Sequence, residues 1–156
     1  MVGFLDKIIL RVIMLASILI LVIVFMAEFI FDLEPCLLCK YQRIPYFAAI
    51  LFAGLALHIE LVNHRGILIC IGIIFFLGAA VALYHNGIEQ HWWYTASCGT
   101  SSKFPLSFES FYNQLMTKMP KRCDEIGWTL FGLSMTVYNM LVSVALGVLC
   151  LASGLC

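Results

Sequence analysis

The chain has 156 residues, 63% apolar and 12% charged, with a mean hydropathy of +1.01 and a formal net charge of +0. An ordinary soluble domain carries about 45–50% apolar and about 25% charged residues, so the composition excludes that class and reads as a polytopic membrane protein. The balanced charge points to no nucleic-acid partner.

About 20 apolar residues cross a hydrocarbon core, and four segments are long enough to do so. The first runs from about Ile8 to Phe31, with only Ser17 polar between Val12 and Ala27. It follows Lys7 and Arg11, as in a signal peptide. Its apolar run exceeds the usual ~7–15 residues and no A-x-A site follows, so it reads as a retained span. The second runs from about Ile44 to Val62, the third from about Ile67 to Tyr84, and the fourth from about Leu130 to Leu155.

The first connection, Asp32 to Arg43, holds the stretch Glu34-Pro35-Cys36-Leu37-Leu38-Cys39-Lys40-Tyr41-Gln42-Arg43. If the chain after Cys39 is helical, Arg43 lies one turn on, on the face of Cys39. A cation there favours thiolate, the form that attacks disulfides. His58 to Gly66 is a tight turn with His64 and Arg65. His85 to Thr129 is the one long polar segment, with Cys98, Cys123 and the interfacial aromatics Trp92, Trp93 and Trp128. Within it Phe108, Phe111, Tyr112, Leu115, Met116 and Met119 recur at helical spacing, behind Ser107 as N-cap. That run predicts a short amphipathic helix in the interface, or an apolar face packed on the bundle.

Four spans put Cys36, Cys39, Cys98 and Cys123 on one side, and the termini and the His64-Arg65 turn on the other. Lys40, Arg43, Lys103, Lys118, Lys121 and Arg122 lie on the cysteine side; Lys7, Arg11 and Arg65 lie opposite. Counted plainly, the positive-inside rule turns the cysteines to the cytoplasm. Disulfide chemistry calls for an oxidising compartment, and on that ground the cysteine side is assigned as extracytoplasmic.

Cys70, Cys150 and Cys156 lie in spans or at the opposite end and read as small apolar fillers. For the four loop cysteines, haem attachment requires His after C-x-x-C, where this chain has Lys40. A four-cysteine zinc site lacks knuckle spacing at Cys98 and Cys123. There remain two disulfides, either purely structural or exchanging with each other. A C-x-x-C closes only a few residues and gains little as a staple, whereas such pairs are typically redox-active. Two pairs on one face would carry electrons from an aqueous protein toward the bilayer, where a quinone is the natural two-electron acceptor.

The C-x-L-C-x-Y-x-R pattern of Cys36 to Arg43 resembles the signature of the disulfide-bond formation protein B (DsbB) family. Tyr84-His85-Asn86-Gly87-Ile88-Glu89-Gln90-His91-Trp92-Trp93 is similar to that family's exit from the third span. Cys123-Asp124-Glu125-Ile126-Gly127-Trp128, with Leu130 to Met135 behind it, is similar to its entry into the fourth. The resemblance implies a single integral membrane domain over residues 1–156 that reoxidises a periplasmic DsbA-like thioredoxin-fold partner in the bacterial inner membrane. It implies that the partner attacks a Cys98–Cys123 disulfide at Cys98. Cys123 then attacks Cys36, Cys39 is released as a thiolate facing ubiquinone or menaquinone, and no metal takes part. Arg43 would stabilise that thiolate and the charge on the quinone, and His85 would lie by the quinone. Glu28, Asp32 and Glu34 read as a solvated rim; Glu89, one turn after His85, is placed to orient it. The fold class expected is all-α, a four-transmembrane-helix bundle with an interfacial helix in the second outer loop. The rival expectations are a vitamin-K-epoxide-reductase-like enzyme and a non-enzymatic scaffold with disulfide-stapled loops.

Overall fold

The computed structural model describes residues 2–30, 35–59, 63–93, 123 and 129–155. Cys98 and the expected loop helix over Phe108 to Met119 lie outside them, as does Cys156. Five helices are described: α1 (Val2–Ile30), α2 (Leu37–Tyr41), α3 (Ile44–His58), α4 (His64–Glu89) and α5 (Met135–Leu155). Three of them, α1, α4 and α5, are long and apolar enough to cross a membrane.

The second expected span is shorter than its apolar run. Helix α3 stops at His58 rather than Val62, and its 15 residues rise about 22 Å against a core of about 30 Å. The first span starts earlier than expected, at Val2, and the third ends later, at Glu89. That last difference matters: His85 and Glu89 belong to the final turn of a membrane-length helix, not to the polar connection. The fourth begins later. Thr129–Leu130 and Leu133–Ser134 form a small antiparallel hairpin, and α5 starts only at Met135. Phe131 and Gly132 both take positive φ (50° and 81°), the two-residue turn that suits a strand pair's twist.

Packing follows small residues. On α3, Tyr46, Ala49, Ala53 and Ala56 are buried on one stripe. They join Leu10, Ile13 and Leu21 of α1, Leu68, Ile71 and Phe75 of α4, and Cys150 of α5 in the core. Bilayer lipid is as apolar as leucine, so close backbone approach, not burial from water, is what holds such helices together. Gly72 of α4 shows it: a Cβ there would fall 2.9 Å from the Leu151 side chain of α5. Gly78 does the same for the start of α3, where a Cβ would meet Pro45 Cγ at 2.6 Å. That contact docks the chain just after Arg43 onto α4. Large apolar side chains such as Leu15, Leu19, Phe47, Leu77 and Leu141 point outward, as a lipid-facing surface requires.

Candidate functional site

The segment from Pro35 to Arg43 is a sharp helical corner between α1 and α3. Cys36 caps α2 in an extended conformation, and its sulphur accepts the Cys39 amide at 3.2 Å. The helix expected to carry on to Arg43 ends at Tyr41, and Gln42 and Arg43 form a turn before α3 begins at Ile44. Pro45 opens α3 in its first turn, where a missing N–H costs nothing.

Cys36 and Cys39 are both free, and their sulphurs lie 2.9 Å apart. Cys36 is buried, at 4% exposure. The Cys39 hydrogen bond lowers its pKa from the ordinary 9.0 to about 4, against the opposing effect of burial, and His85 adds to the lowering. Cys39 is raised, first by the same hydrogen bond and then by burial. The pair's proton rests on Cys39, because Cys36 has the Cys39 amide and the His85 ring as further donors beside it.

The chief of those donors is His85, 2% exposed. Its Nε2 lies 3.5 Å from Cys36 Sγ and 3.9 Å from Glu89 Oε1. Its Nδ1 lies 3.0 Å from Gln42 Nε2. From Gln42 a chain of polar contacts runs into the bundle. Asn139 Nδ2 donates to Gln42 Oε1 at 2.9 Å; Tyr46 OH donates to Asn139 Oδ1 at 2.6 Å and lies 3.2 Å from Ser143 Oγ. A side branch holds Glu89: Thr136 Oγ1 donates to Glu89 Oε2 at 2.5 Å and is itself 2.5 Å from Ser134 Oγ.

Cys123 is the remaining member. It is buried, at 1% exposure, and takes part in a disulfide whose other half lies outside the described residues. Cys36 Sγ, Cys123 Sγ and a ring nitrogen of His85 all lie within 4.8 Å of one another. The structure thus brings a free dithiol, its Cys36 sulphur buried, close to a disulfide, with a His85 ring nitrogen near both sulphurs.

Arg43 sits on the other flank. Its Nη1 donates to Glu28 Oε2 of α1 at 2.7 Å, and its guanidinium carbon lies 5.0 Å from the Phe25 ring centre. Glu28 is therefore an ion-pair partner, three-quarters buried, and not part of a solvated rim. Arg43 Nε is buried with no hydrogen-bond partner among the described residues.

Of the expected site residues, Cys36, Cys39, Cys123 and His85 converge; Arg43 lies beside them, paired with α1; Cys98 is outside the described residues. The sequence reading missed Gln42, Tyr46, Thr136, Asn139, Ser143 and the true partner of Glu28. One signal was present. Asn139 and Ser143 stand one turn apart in a mainly apolar span, and polar side chains inside a membrane helix ask for partners.

A thiol pair with one sulphur activated, touching a disulfide at the end of membrane-length helices, defines a membrane-bound thiol–disulfide oxidoreductase site. Residues 6–153 match the family described as Disulfide bond formation protein DsbB, and the chain belongs to that family. A Methylobacillus flagellatus protein named Disulfide bond formation protein B is 33% identical over 130 residues, 75% of this chain and 74% of its own. One of the same name from Actinobacillus pleuropneumoniae is 28% identical over 114 residues, 70% of this chain and 63% of its own. The uncharacterized protein RP370 of Rickettsia prowazekii is 32% identical over 150 residues, 90% of this chain and 83% of its own. No solved structure gives a significant match.

Proposed function

We propose that the protein is a disulfide oxidase of the bacterial inner membrane that reoxidises a DsbA-like periplasmic thioredoxin-fold protein and passes two electrons to a membrane quinone. The observation that carries this is the convergence of Cys36, His85 and Cys123 within 4.8 Å. A staple has no use for a second, free and activated cysteine pair at its sulphur. In this reading the whole chain is one membrane domain, α3 serves as a short second span, and the cysteine end faces the periplasm, where the disulfide at Cys123 persists.

The exchange balances as follows. A donor thiolate attacks Cys98, the Cys98–Cys123 bond breaks, and Cys123 takes the electron pair. Cys123 attacks Cys36 of the oxidised C-x-x-C, and Cys39 leaves with the pair. The donor's second thiol closes its own disulfide and frees Cys98. Cys98 then attacks Cys123 and Cys36 leaves as a thiolate. The donor is oxidised and Cys36 and Cys39 hold the two electrons. This end point has a free C-x-x-C and a bonded Cys123, the redox pattern of the structure described above. Exchange is faster when the leaving thiol has a low pKa, and the hydrogen bonds from His85 and Cys39 lower that of Cys36.

Arg43 is the residue that would hold the quinone. Its Nε, a buried donor with no partner among the described residues, suits a carbonyl oxygen, and Glu28 and Phe25 fix the guanidinium plane. A bound quinone supplies the two-electron, two-proton sink that returns Cys36 and Cys39 to the disulfide. Both ring nitrogens of His85 are engaged by protein atoms, so its work is at the sulphur.

The test is quinone reduction by the purified protein in detergent, driven by a reduced DsbA-like donor, with Cys98→Ala and Cys39→Ser beside it. Donor-dependent reduction that disappears in both variants is the expected result. Intact disulfides with no reduction of any quinone would replace the oxidase with a stapled scaffold.

A further inference from the structure

The contacts behind His85 form a single line of side chains, with a defined direction at the two hydrogen bonds of Asn139. Asn139 sits at its centre. It accepts from Tyr46 through Oδ1 and donates to Gln42 through Nδ2. An amide that accepts at one end must donate at the other. Gln42, accepting at Oε1, is therefore left with its NH2 toward His85 Nδ1 at 3.0 Å. A nitrogen that receives an N–H cannot carry its own proton. That leaves Nε2 as the ring nitrogen that carries a proton.

The other side of the ring agrees. Nε2 faces two acceptors, the Cys36 sulphur at 3.5 Å and Glu89 Oε1 at 3.9 Å. Thr136, backed by Ser134, donates to the other oxygen of Glu89 and holds that carboxylate in place. Ser143 stands beside Tyr46 at the far end. All of these side chains are buried or half-buried. In such surroundings reversing one amide leaves two donors or two acceptors facing each other, so the chain keeps or reverses its sense as a unit.

We infer that Gln42, Asn139, Tyr46 and Ser143 are positioning residues that fix His85 as a hydrogen-bond donor to Cys36, and so set the charge on that sulphur from a distance inside the membrane. This rests on the oxidase reading for its purpose, because it is in thiol–disulfide exchange that Cys36 must leave as a thiolate. It gives His85 a definite part. It is a donor that receives charge, not a base that removes a proton, since in this tautomer Nδ1 is blocked by Gln42 and Nε2 is already protonated. It also explains why two polar residues stand one turn apart in the apolar helix α5.

Among the described residues, the groups that titrate or carry charge around Cys36 are Cys39 of α2, His85 and Glu89 of α4, and Cys123. Arg43, ahead of α3, is neutralised by Glu28 of α1. On α5 the facing side chains, Thr136 and Asn139, are uncharged. An uncharged change at Asn139 therefore alters no charge near the sulphur, and any effect on Cys36 must travel through Gln42 and His85.

The experiment uses the full chain in detergent with histidine ring nitrogens labelled with nitrogen-15. The wild-type spectrum is expected to show His85 as Nε2–H with Nδ1 bare; a proton on Nδ1 would overturn the assignment. The second readout is the thiolate absorbance of Cys36 against pH in a Cys39→Ser background. Asn139→Leu, which touches neither His85 nor Cys36, should mix the tautomers and raise the Cys36 midpoint by about one unit, a tenfold change in the thiolate-to-thiol ratio. An unmoved midpoint with the Nε2–H tautomer retained would sink the relay. Should Asn139→Leu fail to fold, Tyr46→Phe removes one hydroxyl at nearly constant volume and carries the same prediction in the same direction at a smaller size. Neither readout needs donor or quinone. A protein that passes both and still reduces no quinone keeps the relay and loses the oxidase.

Discussion

Two buried cysteines of this protein, Cys36 and Cys150, differ in everything except burial. Cys36 is 4% exposed and Cys150 is 0% exposed. Cys36 lies among donors: the Cys39 amide, the Cys39 thiol and the His85 ring. Cys150 lies in the core formed by Leu68, Ile71 and Phe75 of α4 and the alanine stripe of α3, where its side chain faces Gly72. A thiol buried in apolar surroundings is inert, and one buried among donors is a thiolate. The same bundle thus holds an apolar core around Cys150, joined by small residues, and a polar end whose hydrogen bonds converge on one sulphur.

The sharpest way to break that contrast is to exchange the two cysteines' fates. Cys36→Ser should bring donor-driven quinone reduction to background, because the inter-loop sulphur transfer has no acceptor without it. Cys150→Ala should leave the rate unchanged and cost on the order of 1 kcal/mol of stability, as for a small buried truncation. Turnover rates with a saturating reduced donor, together with a denaturation midpoint for Cys150→Ala, decide both. A Cys150 variant that loses activity while staying folded would end the comparison.

His85→Leu removes the donor and leaves the cysteines in place. A hydrogen bond to a charged group contributes about 1.5–3 kcal/mol, which corresponds to a loss of about 10- to 150-fold in the rate of the step in which Cys36 leaves. Stopped-flow mixing of reduced donor with oxidised protein reads that step. An unchanged rate would take His85 out of the chemistry.

The titration of Cys36 sharpens the contrast without any mutation. Its value is lowered to about 4 from 9.0, so the thiolate persists through neutral pH and is lost only as pH falls toward about 4. By linkage, ionisation stabilises the folded dithiol form fully above pH 9.0, and that contribution is gone once pH has fallen through about 4. Thiolate absorbance of the reduced protein should therefore be flat from about pH 6 to 8 and drop below that range. A midpoint near the ordinary thiol value would remove the activation of Cys36.

Much of this was legible in the sequence, and what was not has a common cause. The three long apolar helices follow from hydropathy, and C-x-x-C at a span boundary marks the redox end. Hydropathy also sets boundaries wrongly wherever a polar residue is buried. His85 and Glu89 read as a loop because they are polar, yet they complete the last turn of α4, where Cys36 and Thr136 satisfy them. Glu28 reads as a rim because carboxylates usually face water, yet Arg43 holds it. Gln42 and Asn139 are 97 positions apart in the chain, and no local pattern relates them. Pair identities in a buried network are a property of the packing, and sequence spacing carries them only within one helix.

The Arg43–Glu28 pair flanks the polar end, and it offers the smallest of these effects. The side chains are 14% and 25% exposed, so the pair is shielded but not sealed from the interface. Glu28→Gln keeps a hydrogen-bond acceptor for Nη1 and removes the charge. Its expected stability cost is about 1 kcal/mol, near the upper end for exposed pairs and well below the 3–5 kcal/mol of a buried pair cut on one side. Its effect on quinone reduction should be a rise in the apparent quinone KM of a few-fold with kcat retained, because the guanidinium loses its anchor and not its donors. Arg43→Gln, which removes the donors, should raise KM further and lower kcat as well. If the two variants behave alike, Arg43 serves only to tie α1 to the corner before α3, and the quinone is held by something else.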